Sequence, residues 1–337
     1  MKEQASPLHG ATFAVPILLI LGFCYLGSGL DSAEQTYLSR AGASFANLTA
    51  TLYAPLYLLL LKGWSAWFEH PFWLRFPNLV GAVLALLLSN RVVRQSGGTH
   101  AAPGALLLLG GAPFLIEQVQ TLSPAVLGLV TATAALACFV EYVRTGNHTW
   151  LVIWMVSTLL SWGVHAGLAY LVPIKWLYMV AYRDRVHSRR VYWWLAQVPI
   201  AGFFLVIFGT DLGAHLLRLA DSDWSGAMRD FSALASGVSR PTGLVGAGLF
   251  ALLLAGGIWA SRDWRRNTRH GLLLSGFLVP TTLYLSPLGH PALGLVALPF
   301  MCTLASMGIR LFPHWARQLL WATIALTYLY GYWYIFA

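Results

Sequence analysis

Apolar residues in this chain come in runs, and the runs recur from one end to the other. The stretches near 13–30, 77–93, 102–117, 123–143, 149–165, 167–182, 191–210, 241–260, 270–286, 290–309 and 316–336 number about eleven, each near the ~20 residues that cross a bilayer as a helix. Other segments are apolar on one face only. Over 33–48, Tyr37, Ala41, Phe45 and Leu48 recur at helical spacing with polar residues between them, which predicts an amphipathic helix lying on a membrane surface. The segment 53–68 is apolar enough to be a further span. Crossing there, however, would put the first basic cluster on the side opposite to the rest. Left on the surface, it keeps all of them together, anchored at headgroup level by Trp64, Trp67, Phe68, Phe72 and Trp73. The pattern predicts an all-α polytopic membrane protein, one transmembrane domain over 1–337, with outer-face juxtamembrane helices in 31–76 and a second outer loop at 211–240.

Composition agrees. The 337 residues are 58% hydrophobic and 10% charged, where a soluble domain carries about a quarter charged residues. A formal charge of +9 raises the question of nucleic acid, and the placement of the charge answers it. Arg91 and Arg94, Arg183 to Arg190, Arg262 to Arg269, and Arg310 with Arg317 sit in short links between apolar runs, as cytoplasmic loops do. The other face carries Asp31, Glu34, Glu69, Glu117, Asp211, Asp221, Asp223 and Asp230, so acid–base chemistry is expected there. Cys24, Cys138 and Cys302 fall inside apolar runs and read as buried hydrophobes without disulfide or metal spacing. The first run is followed directly by acids and reads as a retained span. No P-loop, zinc motif, Ser-His-Asp order or dinucleotide fingerprint is present.

The order of motifs resembles the C-type membrane glycosyltransferases, which include the protein O-mannosyltransferases and the aminoarabinose transferases. Gly29-Leu30-Asp31-Ser32-Ala33 fits their Leu-Trp-x-Asp-Glu-Ala element. Tyr53-Ala54-Pro55-Leu56-Tyr57 fits His-Pro-Pro-Leu-Tyr, with Lys62-Gly63-Trp64 continuing it, and Phe72-Trp73-Leu74-Arg75 fits an Ala-Leu-Arg stretch. Ala112-Pro113-Phe114-Leu115-Ile116, followed by Glu117-Gln118-Val119-Gln120-Thr121-Leu122, stands where the family has a Pro-rich turn and a polar cluster. Trp162-Gly163-Val164-His165 and His290-Pro291 occupy two later elements, so the order runs from about residue 13 to 310. The chain departs from the family at Ser32, Tyr53, Gln120, Leu122 and His290, where charged or His/Arg groups are usual.

That resemblance implies a sugar carried on a polyprenyl phosphate and moved to a lipid or glycan acceptor of the cell envelope, at the periplasmic face of a bacterial inner membrane. Such chemistry needs a base for the acceptor hydroxyl and donors for the departing phosphate. Asp31 is the candidate base and Glu34 its helper. Asp31-Ser32-Ala33-Glu34 reads equally as a helix-capping box, and a cap also fixes the side chain that reacts. Tyr53, Lys62, Arg75, Glu117, Gln118, Gln120, His165, Lys175 and His290 are the candidates for phosphate and sugar contacts. Lys175 stands out because a charge inside a span is costly; snorkelling toward Arg183 is its alternative. No cofactor is required. A divalent metal near Asp31 stays open, although hard ligands are few. The other reading is a non-catalytic protein of the same fold that binds lipid-linked glycan or scaffolds envelope assembly.

Overall fold

The computed structural model describes residues 9–24, 26–42, 54–165, 168, 172, 175, 178–179, 190–208, 227–236, 244–263, 267–285 and 291–336. The described residues form helices and no strand. Prolines and capping residues cut the apolar runs into elements. After α1 (His9–Phe23) and α2 (Ser32–Gly42), α3 (Pro55–Ser65) and α4 (Pro71–Gly97) both open on a proline, whose missing N–H costs nothing in a first turn. The His70 side chain caps α4 by accepting from the Phe72 amide. The apolar stretch 102–117 does not form one helix. It divides into α5 (Ala102–Gly110) and α6 (Pro113–Val119), bent by 49°. Pro113 lacks the N–H a continuous helix would need and its ring crowds the preceding turn.

Next come α7 (Ala125–Thr145) and α8 (His148–Val164), joined by Gly146 in the left-handed conformation (φ 69°) and Asn147, whose side chain caps α8 at Thr149 N. The chain continues through α9 (Arg190–Phe208), α10 (Ala227–Ser236), α11 (Leu244–Ala260), α12 (Thr268–Leu285), α13 (Pro291–Ile309) and α14 (His314–Phe336). Four described helices, α4, α7, α13 and α14, are long and apolar enough to cross a membrane, or five spans if α5–α6 counts as one broken span. The protein is thus an integral multi-pass membrane protein, although these described spans fall short of the eleven the apolar runs predict. One expectation is corrected just past the end of α1, since Cys24 is exposed while Cys138 and Cys302 are buried.

The central element is α13, buried along nearly its whole length against α4, α5, α7, α11 and α12. Its closest crossing is with α11, where a Cβ on Gly308 would strike the carbonyl of Leu253 and one on Gly257 the carbonyl of Leu304. Gly308→Leu is therefore expected to cost at least about 1–3 kcal/mol, seen as a lower melting temperature of the purified protein. The bend at α5–α6 frees main-chain carbonyls that lipid cannot satisfy. Tyr328 of α14 donates to the carbonyl of Leu108 at 3.1 Å, and Tyr332 donates to that of Gly111.

At the far end of α7, Glu141 pairs with Arg91 of α4 at 3.0 Å and with Arg144 at 2.7 Å, and Gln95 donates to the same carboxylate. The other end of the bundle bears α2 and α3. They pack on each other around a small core of Ala41, Tyr57, Leu58, Leu61, Leu74 and Leu122. With 11 residues, α3 is too short to cross a bilayer.

Candidate active site

The site grows out of the first turn of α2. Asp31 Oδ1 accepts from the amide of Glu34 at 2.7 Å, and Glu34 Oε2 accepts from the amide of Asp31 at 2.9 Å. This is the reciprocal capping box that the spacing implied. The two acids then part ways. Asp31 stays exposed, and its Oδ2 has no partner among the described residues. Glu34 is only 2% exposed and meets Arg75 of α4, 3% exposed, in a two-pronged ion pair, Nε to Oε1 at 2.8 Å and Nη2 to Oε2 at 2.6 Å.

Such a pair survives burial only if its remaining hydrogen-bonding groups are satisfied. Here they are. Arg75 Nη1 donates to the carbonyls of Ser28 (2.8 Å) and Leu26 (3.2 Å) and to Ser28 Oγ (2.8 Å), and Nη2 to the carbonyl of Gly29 (3.0 Å). Glu34 Oε1 also accepts from the amide of Leu122 at 2.8 Å. One carboxylate thus joins the segment after α1, the start of α2, the start of α4 and the loop between α6 and α7. Glu34 and Arg75, expected as an acid helper and a phosphate-binding cation, are here engaged with each other and with the main chain.

Beside this junction lies a cavity of about 600 Å³. Asp31 lines it with Ser28 and Gly29, and Glu117, Gln118, Gln120 and Thr121 come to it from the end of α6 and the loop that follows. Phe114, Tyr284, Pro291 and the Tyr334–Ile335 end of α14 complete the far wall with Ala233. Gln120 Nε2 donates to the carbonyl of Leu21 (3.2 Å), and Gln118 Oε1 accepts from Ser123 (3.3 Å). Glu117 is half-buried, and its carboxylate has no partner among the described residues.

A second hollow, of about 390 Å³, runs between α3, α4 and α7, lined by Tyr57, Leu60, Leu61, Trp64, Leu74, Phe76, Pro77, Asn78, Val80, Gly81, Leu84, Leu127 and Val130. Leu60, Val80 and Leu84 are exposed, so this groove opens sideways. Burial pushes the Tyr57 phenol above its ordinary value, and nearby Tyr37 and Glu34 add to the effect, so it is a neutral hydroxyl.

Of the predicted site residues, Asp31, Glu34, Arg75, Glu117, Gln118 and Gln120 meet at one cavity. Others are elsewhere. Lys62 is half-buried on α3, and His165 is buried where α8 ends. Lys175 is buried between helices, donating to Thr158 Oγ1 at 3.1 Å with its ammonium 5.3 Å from the Trp154 ring centre. None of the three lines the cavity. Tyr53, His290 and most of 211–240 lie outside the described residues. The aromatic wall of Phe114, Tyr284 and Tyr334 was missed from sequence. Its one signal was the run Tyr328-Leu329-Tyr330-Gly331-Tyr332-Trp333-Tyr334, dense in tyrosine for the end of a span.

No protein-family model matches the sequence, and no curated protein matches it by sequence. Solved structures do match. ArnT from Cupriavidus metallidurans bound to undecaprenyl phosphate superposes with a TM-score of 0.62 at 17% identity, over 95% of this chain and 63% of that one. The Archaeoglobus fulgidus oligosaccharyltransferase tethered to an acceptor peptide gives 0.63 at 13% identity, over 99% of this chain and 55% of that one. The chain has the C-type glycosyltransferase fold. It spans about three fifths of the length of the structures it matches. Within the C-type fold, the cavity gathers the start of α2 and the end of α6 with the loop that follows it.

Proposed function

We propose that this protein is a glycosyltransferase that takes a sugar from a polyprenyl-phosphate carrier and places it on a lipid or glycan acceptor at the extracytoplasmic face of a bacterial inner membrane. The observation that carries the reading is the meeting of an exposed, half-used carboxylate, Asp31, with a polar cavity that adjoins a laterally open apolar groove. The neighbouring ArnT structure, which holds undecaprenyl phosphate, supports the same class of donor.

Asp31 would act through Oδ2, taking the proton of an acceptor hydroxyl while Oδ1 stays on the Glu34 amide. The acceptor oxygen then bonds to the anomeric carbon as the bond from that carbon to the phosphate oxygen breaks, and the lipid phosphate leaves. Phe114, Tyr284 and Tyr334 supply flat apolar surface for a sugar face. Glu117 and the amides of Gln118 and Gln120 supply hydrogen bonds to its hydroxyls. A divalent cation takes roughly six to eight oxygen ligands. The described residues gather no group of three or more metal-ligating His, Cys, Asp or Glu side chains, so no step is routed through a metal.

The test is transfer by the purified protein from a panel of polyprenyl-phosphate sugars to envelope lipid extract. Glu117→Gln keeps the shape of the side chain and removes its charge. It is expected to lower transfer about tenfold, with the loss largely in KM, because the residue binds rather than reacts.

One observation favours a second reading, a non-catalytic protein that binds lipid-linked glycan. Arg75, the one described cation of the cavity lining, already has its guanidinium filled by Glu34 and main-chain carbonyls. Carrier binding with no transfer across the whole panel would decide for it.

A further inference from the structure

The wall between groove and cavity contains a buried amide that the mechanism above does not use. Asn78 stands three residues after Arg75 on α4, on the same side of the helix. It lines the groove and is 6% exposed. Its Nδ2 donates at 2.5 Å to the carbonyl of Thr121, a residue that lines the cavity on the other side. A carbonyl can only accept, so the amide must present its NH2 there, and its orientation is fixed. Oδ1 and the second N–H are then unspent, with no partner among the described residues.

These spare groups are reachable rather than sealed in the core, and Asn78 lines the groove, so a ligand lying there can meet them. We propose that Asn78 reads the head of the carrier lipid: its free N–H donates to a phosphoryl oxygen of a single-chain lipid phosphate where the chain leaves the groove for the cavity. The proposal rests on the carrier reading given above and adds the residue that recognises the phosphate. A neutral amide suits this place. A free cation beside the Glu34–Arg75 pair would compete for Glu34, whereas an amide donates without disturbing it.

The experiment compares undecaprenyl phosphate with undecaprenol, which has the same chain and no phosphate. Each is bound to the full-length protein in nanodiscs and quantified by native mass spectrometry. The wild type is expected to prefer the phosphate by about tenfold or more, the worth of one hydrogen bond to a charged group. Asn78→Leu is expected to bind undecaprenol as before and to lose most of that preference. Should Asn78→Leu not fold, Asn78→Ser serves instead, because its single donor is taken by the carbonyl one turn back on α4 and the preference is again expected to fall.

A variant that folds and keeps the wild-type preference overturns the role of Asn78 and leaves the carrier reading standing. A wild type that binds neither lipid overturns the carrier reading, and this proposal with it. Displacement of undecaprenyl phosphate by an equal concentration of phosphatidic acid would assign the groove to bilayer phospholipid and also overturn the proposal.

Discussion

Glu34→Ala is expected to destabilise the protein by about 3–5 kcal/mol, the usual cost of removing one partner from a buried ion pair. The substitution leaves the guanidinium of Arg75 at 3% exposure with no counter-charge. It also frees the amides of Asp31 and Leu122, both of which donate to the lost carboxylate. The expected observation is a large drop in melting temperature together with proteolysis between α1 and α2, since the segment Leu26–Gly29 is held by the same arginine. The charge-swapped double variant, Glu34→Arg with Arg75→Glu, is not expected to rescue it. The carbonyls of Leu26, Ser28 and Gly29 need a donor in the place of Arg75, and a carboxylate there only accepts. Replacing both residues by leucine removes the uncompensated charge, so that double variant should melt above Glu34→Ala. An unchanged melting temperature for Glu34→Ala would show that the pair is not the structural junction described above.

Asp31→Asn carries the largest expected effect on activity, a fall of about 10²–10⁴-fold in transfer, the range for loss of a general base. It also separates the base role proposed for this residue from its capping of α2. Asparagine caps a helix about as well as aspartate, so the hydrogen bond to the Glu34 amide survives and the melting temperature should hold. Asp31→Ala, by contrast, loses the cap as well, at a further cost of about 1 kcal/mol. Both variants are to be measured by sugar transfer and thermal unfolding of the same preparation. Full transfer by Asp31→Asn at wild-type stability would leave Asp31 as a cap alone.

The elements of this fold were legible wherever local physics decides them. The apolar runs at 123–143, 290–309 and 316–336 became α7, α13 and α14 within a few residues, because their length and composition admit little else. The capping box at Asp31–Glu34 was legible for the same reason, since its bonds close within one turn. The stretch 102–117, read as a span, is bent by 49° between two helices. Its apolar content is continuous, and the tyrosines of α14 that satisfy carbonyls at the break come more than 200 residues later.

The roles within the site divide along the same line. Sequence by itself determined a helical membrane protein and, through motif order, the grouping of Asp31 with Glu117, Gln118 and Gln120. Only the tertiary structure decided which acid is available. Asp31 and Glu34 are alike in type and three residues apart, but the one beneath the loop of Leu122 and opposite Arg75 is locked, and the other is open to the cavity. That distinction depends on α4 and the loop between α6 and α7 approaching α2 from 41 and 88 residues away. Burial and partner choice are properties of such long-range contacts, and no local pattern in the sequence encodes them.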